Sequence, residues 1–215
     1  MKFRIILLFL FIANFSLHSF SQVDDAKARE ILDKVSAKVK TFKNMKFEFN
    51  YNMLDPKHKI NNNLKGTIVM MGNKFNLLFM KRTIISDGKI VWTFDQDANE
   101  IQISNLDPKN DVLNPAKLLT SYDKSFKSKL IKTEVVNGKS VYIIDLTPST
   151  AKAYYKIRLT IDKTEMRVIS GTVYNKDNIT YTYTVTKFTP NVAVADSYFI
   201  MDTKKYKDAE VIDLR

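Results

Sequence analysis

Ile84–Ile103 reads I-I-S-D-G-K-I-V-W-T-F-D-Q-D-A-N-E-I-Q-I, and its reading decides the fold. It holds the only Trp of the chain, two turn signals and three short apolar runs. Ser86-Asp87-Gly88-Lys89 predicts a tight turn, because Gly88 takes a positive φ without steric cost. Ile90–Phe94 then reads as a strand of β-branched and aromatic residues. Asp95–Asn99 predicts a second turn, and Glu100–Ser104 alternates polar and apolar as a half-buried strand does. The stretch predicts consecutive antiparallel strands that share one apolar face.

Outward from it, the same alternation recurs in both directions. Met45, Phe47, Phe49, Tyr51 and Met53 alternate with Lys46, Glu48, Asn50 and Asn52, giving a strand with one wholly apolar face. Leu64–Met71 and Lys74–Met80 follow as strands about the turn Gly72-Asn73. Beyond the opening stretch, strands are predicted over Phe126–Val136, Ser140–Leu146, Tyr154–Ile161, Met166–Tyr174 and Ile179–Phe188. Asn137-Gly138 is a hairpin signal between two of them. Val211-Ile212 predicts a last short strand near the C-terminus.

Two segments have helical spacing instead. Ala28, Ile31, Leu32, Val35, Val39 and Phe42 recur at intervals of three and four, so Val23–Lys43 predicts one amphipathic helix. Asn114-Pro115 supplies a cap and a first helical residue for a short helix carrying Leu118 and Leu119. A meander of about ten antiparallel strands does not stay flat. The sum predicts an α+β single domain, whose antiparallel strands curl towards a barrel that the N-terminal helix and short inserted helices can plug or lid.

Composition sets the compartment and excludes classes of chemistry. Lys2 and Arg4 precede an apolar run, Ile5–Phe15, and Ser19-Phe20-Ser21 carries small residues where a signal peptidase reads. The run is short for a membrane span. Residues 1–21 are therefore predicted to be a cleaved signal peptide and 22–215 the exported domain. Cleavage lowers the formal charge from +11 to +9 with the loss of Lys2 and Arg4. The lysines are dispersed, no nucleic-acid module surrounds them, and a monomer is expected. The chain has no Cys, and His58 is the only His left after cleavage. No nucleophile motif, metal motif or phosphate loop appears, so no catalytic residue, metal ligand or cofactor is nominated. Asp87, Asp95 and Asp97 read as turn residues.

Fourteen Phe, ten Tyr and eight Met are the remaining signal. Taken singly, each is most simply a residue of a filled core. Taken together on one face of a curled sheet, they are also the lining of an apolar cavity. Alternation selects Phe47, Phe49, Tyr51, Ile68, Met70, Phe75, Leu77, Phe79, Trp92, Phe94, Ile101 and Ile103 for the concave face. Leu118 and Leu119 are the expected lid contacts.

The residues also carry a resemblance. Ser86-Asp87-Gly88-Lys89 with Trp92-Thr93-Phe94 is similar to the S-D-G-K-x-x-W-x-Y segment of the periplasmic outer-membrane lipoprotein carriers, the LolA family. Pro115–Leu119 looks like that family's P-x-x-L-L helix. Gly66, Phe199, Val211-Ile212-Asp213 and the leading Ala28, Ile31-Leu32 match further positions in the same order. The resemblance implies an unclosed, strongly curved antiparallel β-barrel, a half-barrel, with the N-terminal helix and short inserted helices as a lid over a hydrophobic cavity, and a non-catalytic activity. Such a carrier accepts acylated lipoproteins from an inner-membrane ABC exporter, shields their acyl chains and delivers them to an outer-membrane receptor or membrane surface. One departure stands out. The family's Arg-Pro pair before the third strand, whose Arg bonds the lid, is replaced here by Gly72-Asn73, so the lid must be held differently. A carrier of another lipid or glycolipid, and a lipid-sensing regulatory domain, share these features.

Overall fold

The computed structural model describes residues 21–107 and 125–215. One long helix, α1 (Ser21–Lys40), precedes the strands β1 (Met45–Asp55), β2 (Ile60–Met71), β3 (Lys74–Phe79), β4 (Arg82–Ser86), β5 (Ile90–Asp95) and β6 (Glu100–Asn105). After residue 125 follow β7 (Phe126–Val136), β8 (Lys139–Pro148), β9 (Tyr154–Asp162), β10 (Arg167–Asn175) and β11 (Thr180–Pro190). Two 3-10 turns, Asp196–Phe199 and Thr203–Lys205, then lead to β12 (Glu210–Asp213).

All twelve strands form one sheet, in the order β12-β6-β5-β4-β3-β2-β1-β11-β10-β9-β8-β7. The two outermost strands do not pair with each other, so the barrel is open, as the resemblance implies. β12 departs from the antiparallel expectation: it runs parallel to β6, with Val211 opposite Ile101. The predicted helix at Asn114–Leu119 lies outside the described residues.

Turn chemistry builds the hairpins of the opening stretch. The Asp87 carboxylate accepts the backbone N–H groups of Lys89 and Ile90, both at 2.8 Å. Gly88 adopts φ +95°, and Ser86 Oγ accepts its N–H at 3.1 Å. Asp95 accepts the N–H groups of Asp97 (3.0 Å) and Ala98 (3.2 Å), and closes the next hairpin. Asp55 does the same for the β1–β2 turn, accepting the His58 N–H at 3.1 Å while the His58 ring lies 2.6 Å from its other oxygen.

Register divides the sheet into two faces, since directly paired residues point the same way. One row runs Phe188, Phe47, Ile68, Leu77, Ile84, Thr93, Gln102. Another runs Leu130, Ile144, Leu159, Gly171, Tyr183, Tyr51, Leu64. Both belong to the face against which α1 packs, here called the inner face. Ala28, Ile31, Leu32 and Val35 of α1 are buried against Phe126, Ile144, Leu146, Ile157, Leu159 and Ile161. The helix thus covers the β7–β10 half. The β1–β3 half carries its own cluster of Met45, Phe49, Tyr51, Ile68, Met70, Phe75 and Leu77.

Besides the buried pair Val141 and Ile143 on β8, the outer face is apolar at its β4–β6 end. Val69, Ile85, Trp92, Phe94, Ile101 and Ile103 lie there, in rows that lead to Asn76 and Leu78 on β3. The segment after β11 covers this patch. Met201 joins the buried cluster of Ile85, Ile101 and Ile103, and the Tyr206 ring lies 4.4 Å from that of Phe94. Lys74 to Asp196 (2.9 Å) and Asn76 Nδ2 to the Tyr198 carbonyl (3.0 Å) fasten the segment to β3.

Candidate functional site

The expected concave set separates into two. Phe47, Phe49, Tyr51, Ile68, Met70, Phe75, Leu77 and Phe79 share the inner face on β1, β2 and β3. Trp92, Phe94, Ile101 and Ile103 point the other way and pack under the C-terminal segment. The reason is register: Ser86 pairs with Val91, which turns Val91 and Thr93 inward and Trp92 outward. The sequence assigned the greasier side of β5 and β6 to the concavity; the tail makes that side an outer-face core. Leu118 and Leu119 lie outside the described residues.

The inner-face set gains members that the sequence did not nominate. Phe42, Met53, Ile84, Tyr181 and Phe188 pack on the same cluster, as does Val39. Phe42 was placed in the helical stripe, but α1 ends at Lys40; Thr41 Oγ1 caps the Lys38 carbonyl at 2.7 Å and turns Phe42 toward β1. Its ring lies edge-on to Phe188 at 5.5 Å, and Phe47 stacks obliquely on Phe188 at 5.0 Å. The alternation of Tyr181, Tyr183, Val185 and Phe188, shifted by a bulge opposite Glu48 and Phe49, was the available signal for β11.

Gly66 shows how tightly this face is built. A Cβ there would fall 2.3 Å from Cζ of Phe49, so the ring lies flat on the glycine. From this seat Phe49 reaches Phe79 (5.7 Å) and Tyr183 (5.9 Å), while Tyr51 reaches Phe79 and Tyr183, both at 5.1 Å.

Where α1 meets the β1–β2 half, a cleft of about 40 Å³ remains between Val35, Val39, Phe42, Met45, Phe47, Met166, Val168 and Phe188. This is about the volume of one water molecule, so a ligand entering at this cleft must part the aromatic contacts. Two cations stand at the cleft, Lys38 and Arg167. Arg167 lies 5.0 Å from the Phe188 ring and is held by the Glu165 carboxylate through Nε (2.9 Å) and Nη2 (2.6 Å). These bonds hold the Glu165 carboxyl below its usual range. Lys38 of α1 donates to the Glu165 carbonyl and ties the helix end to the β9–β10 turn. A larger open groove of about 460 Å³ lies at the β1 bulge. It is lined by Glu48, Asn50, Lys65, Thr67 and Leu78 of the outer face together with Phe49, Gly66 and Phe79 of the inner face.

Among the described residues, no three His, Asp or Glu side chains converge as a metal site. Chemically the arrangement offers apolar surface, aromatic edges and phenolic hydroxyls. An unclosed β-barrel with a helix laid across an apolar inner face defines the half-barrel class of binding domains. Within that class, the chain belongs to the family of the outer membrane lipoprotein carrier protein LolA, whose model matches residues 19–202. No curated protein matches it in sequence.

Solved structures resemble it in fold at low identity. An uncharacterized conserved protein from Thermus thermophilus aligns with TM-score 0.60 and 14% identity, over 87% of this chain and 99% of that one. A DUF1329 family protein from Desulfovibrio piger aligns with TM-score 0.51 and 10% identity, over 82% and 97%. A LolA superfamily protein from Nitrosomonas europaea aligns with TM-score 0.45 and 13% identity, over 81% and 98%.

Proposed function

We propose that this chain is an exported, monomeric carrier that takes the acyl chains of a lipoprotein, or of another lipid, on its inner face. Residues 1–21 direct export and are removed. The mature domain then shields its cargo between an inner-membrane ABC exporter and an outer-membrane receptor or membrane surface, and catalyses no reaction. The observation that carries this reading is the inner face itself. Phe47, Phe49, Tyr51, Ile68, Met70, Phe75, Leu77 and Phe79 form one apolar tract, and α1 borders it across a cleft of about 40 Å³.

The energetics explain why such a face is needed. Each buried CH₂ is worth about 0.8 kcal/mol, so a chain of a dozen methylenes resists leaving a membrane by roughly 10 kcal/mol. A carrier must return most of that with its own apolar surface. In the closed state the Phe42–Phe188 and Phe47–Phe188 contacts occupy the site. Such ring pairs contribute about 0.5–1.5 kcal/mol beyond area burial, small enough for an acyl chain to displace. Opening is then an exchange of one apolar contact for another.

Native mass spectrometry of the mature protein, recovered from its own periplasm, tests the reading. A bound acylated lipoprotein supports the first cargo and a bound free lipid the second. Protein that is empty when isolated, and that takes up no acyl chain when offered one, refutes the carrier.

A further inference from the structure

The inner face changes character along β1 and β11. At the end near α1 its rings are Phe42, Phe47 and Phe188. Toward the β1–β2 turn they become Tyr51, Tyr181 and Tyr183. These three share the inner face, because Tyr51 pairs with Tyr183 and Met53 pairs with Tyr181. Tyr51 lies 5.1 Å from Tyr183 and 6.2 Å from Tyr181, ring to ring. Tyr51 is buried, and Tyr183 is 37% exposed. Among the described residues no hydrogen bond engages any of the three hydroxyls, and none of them is a buried unsatisfied atom, so each reaches solvent and is free to donate to a ligand. Phenylalanine would fill the same space but offer a ligand no donor.

A second observation lies beside them. Gly171 occupies the row of Tyr183, in the interior of β10. A glycine there weakens the strand, and nothing among the described residues requires it. Its φ is not left-handed, and an added Cβ would meet only Leu159 Cδ2, at an ordinary 3.6 Å. The missing side chain leaves a notch beside Tyr183 on the inner face. Glycine inside a strand is often found where something else approaches the backbone closely.

We propose that Tyr51, Tyr181, Tyr183 and the notch at Gly171 form a subsite for the uncharged ester or amide carbonyls that link acyl chains to the head of the cargo. The proposal rests on the inner face being the acyl site, and it adds polarity and direction. The linkage lies at the tyrosine end, and the chain tips point to Phe42 and Phe188. Burial raises the Tyr51 phenol to about 12, so it stays a neutral donor at physiological pH.

The test uses the full mature chain and two probes, a dipalmitoylglyceryl lipopeptide and the uncharged dye phenylnaphthylamine, which has no carbonyl. The wild type is expected to bind both. The triple substitution Tyr51→Phe, Tyr181→Phe, Tyr183→Phe keeps every ring. It should hold the dye within about two-fold of wild type and weaken the lipopeptide by roughly 30-fold. Gly171→Val suits a strand and fills the notch; it should weaken the lipopeptide while leaving dye affinity unchanged and Tm unchanged or higher. Lipopeptide binding by the triple variant at wild-type strength, or parallel loss of both probes, overturns the subsite alone. A wild-type protein that binds neither probe overturns the subsite and the carrier reading together.

Discussion

Gly66→Ala is the smallest change that should disturb the inner face, because one methyl group has nowhere to go. The added Cβ would lie 2.3, 2.8 and 3.0 Å from three atoms of the Phe49 ring. Ordinary contacts begin near 3.4 Å, so the ring must retreat by about 1 Å. Retreat presses it toward Phe79 and Tyr183, whose rings already stand 5.7 and 5.9 Å away. Overpacking of this kind costs about 1–3 kcal/mol. The lost freedom of an unfolded glycine offsets about 0.4–1 kcal/mol of it. The net loss should be about 1–2 kcal/mol, or roughly 2–8 °C in Tm for a domain of this size. Urea unfolding monitored by circular dichroism measures it. Phe49→Leu provides the control, since a shorter side chain no longer covers the glycine. In that background Gly66→Ala should be neutral or mildly stabilising. Equal costs in both backgrounds, within about 0.5 kcal/mol, would refute the contact as the cause.

Three further outcomes follow from other parts of the molecule. Asp162 is buried and accepts the N–H groups of Thr164 and Glu165, both at 2.9 Å, and Lys139 Nζ at 3.0 Å, bonds that hold its carboxyl below the ordinary value. A depressed carboxyl stabilises above its unfolded pKa and loses that contribution as pH falls through the folded one. Asp162→Ala should therefore cost about 2 kcal/mol at neutral pH, and the difference from wild type should shrink below the usual aspartate range in urea titrations. Tyr51, raised to about 12 by burial, should ionise later than the exposed tyrosines in an ultraviolet phenolate titration. Stability should fall as pH rises between about 10 and 12, because the unfolded phenol releases its proton first. Deleting the segment after Asn191 should uncover Val69, Ile85, Ile101 and Ile103, and shift Trp92 emission to the red; an unshifted spectrum would mean that the tail does not cover this patch.

Most of the fold was legible because period-two alternation and turn chemistry are local. The Ser86–Lys89 and Asp95–Asn99 turns, the helix stripe from Ala28 to Val35 and the strands around them follow from residues within a few positions of one another. The facing of β5 and β6 was not. Ile90, Trp92 and Phe94 form the greasier side of β5 in any register. Only the pairing of Ser86 with Val91 decides that this side turns outward. What covers it lies about a hundred residues away, in Met201, Tyr206 and Ala209, beyond the reach of any local pattern. The parallel pairing of β12 was hidden for the same reason. On the inner face, Phe47 through Phe79 were readable because β1, β2 and β3 are joined by short hairpins that preserve register. Phe188 and Tyr183 reach the site only through the long-range β1–β11 pairing.

Quenching by an acyl chain brominated near its tip tests most directly which face is the carrier's. Trp92 is the only Trp of the chain and lies on the outer face, so its fluorescence should be unaffected when the brominated chain binds. A second protein carries Trp92→Phe and Phe47→Trp, which places the reporter beside Phe188 on the inner face. There the same chain should quench strongly and saturably. Quenching of Trp92 in the wild type, with none at position 47, would contradict the account.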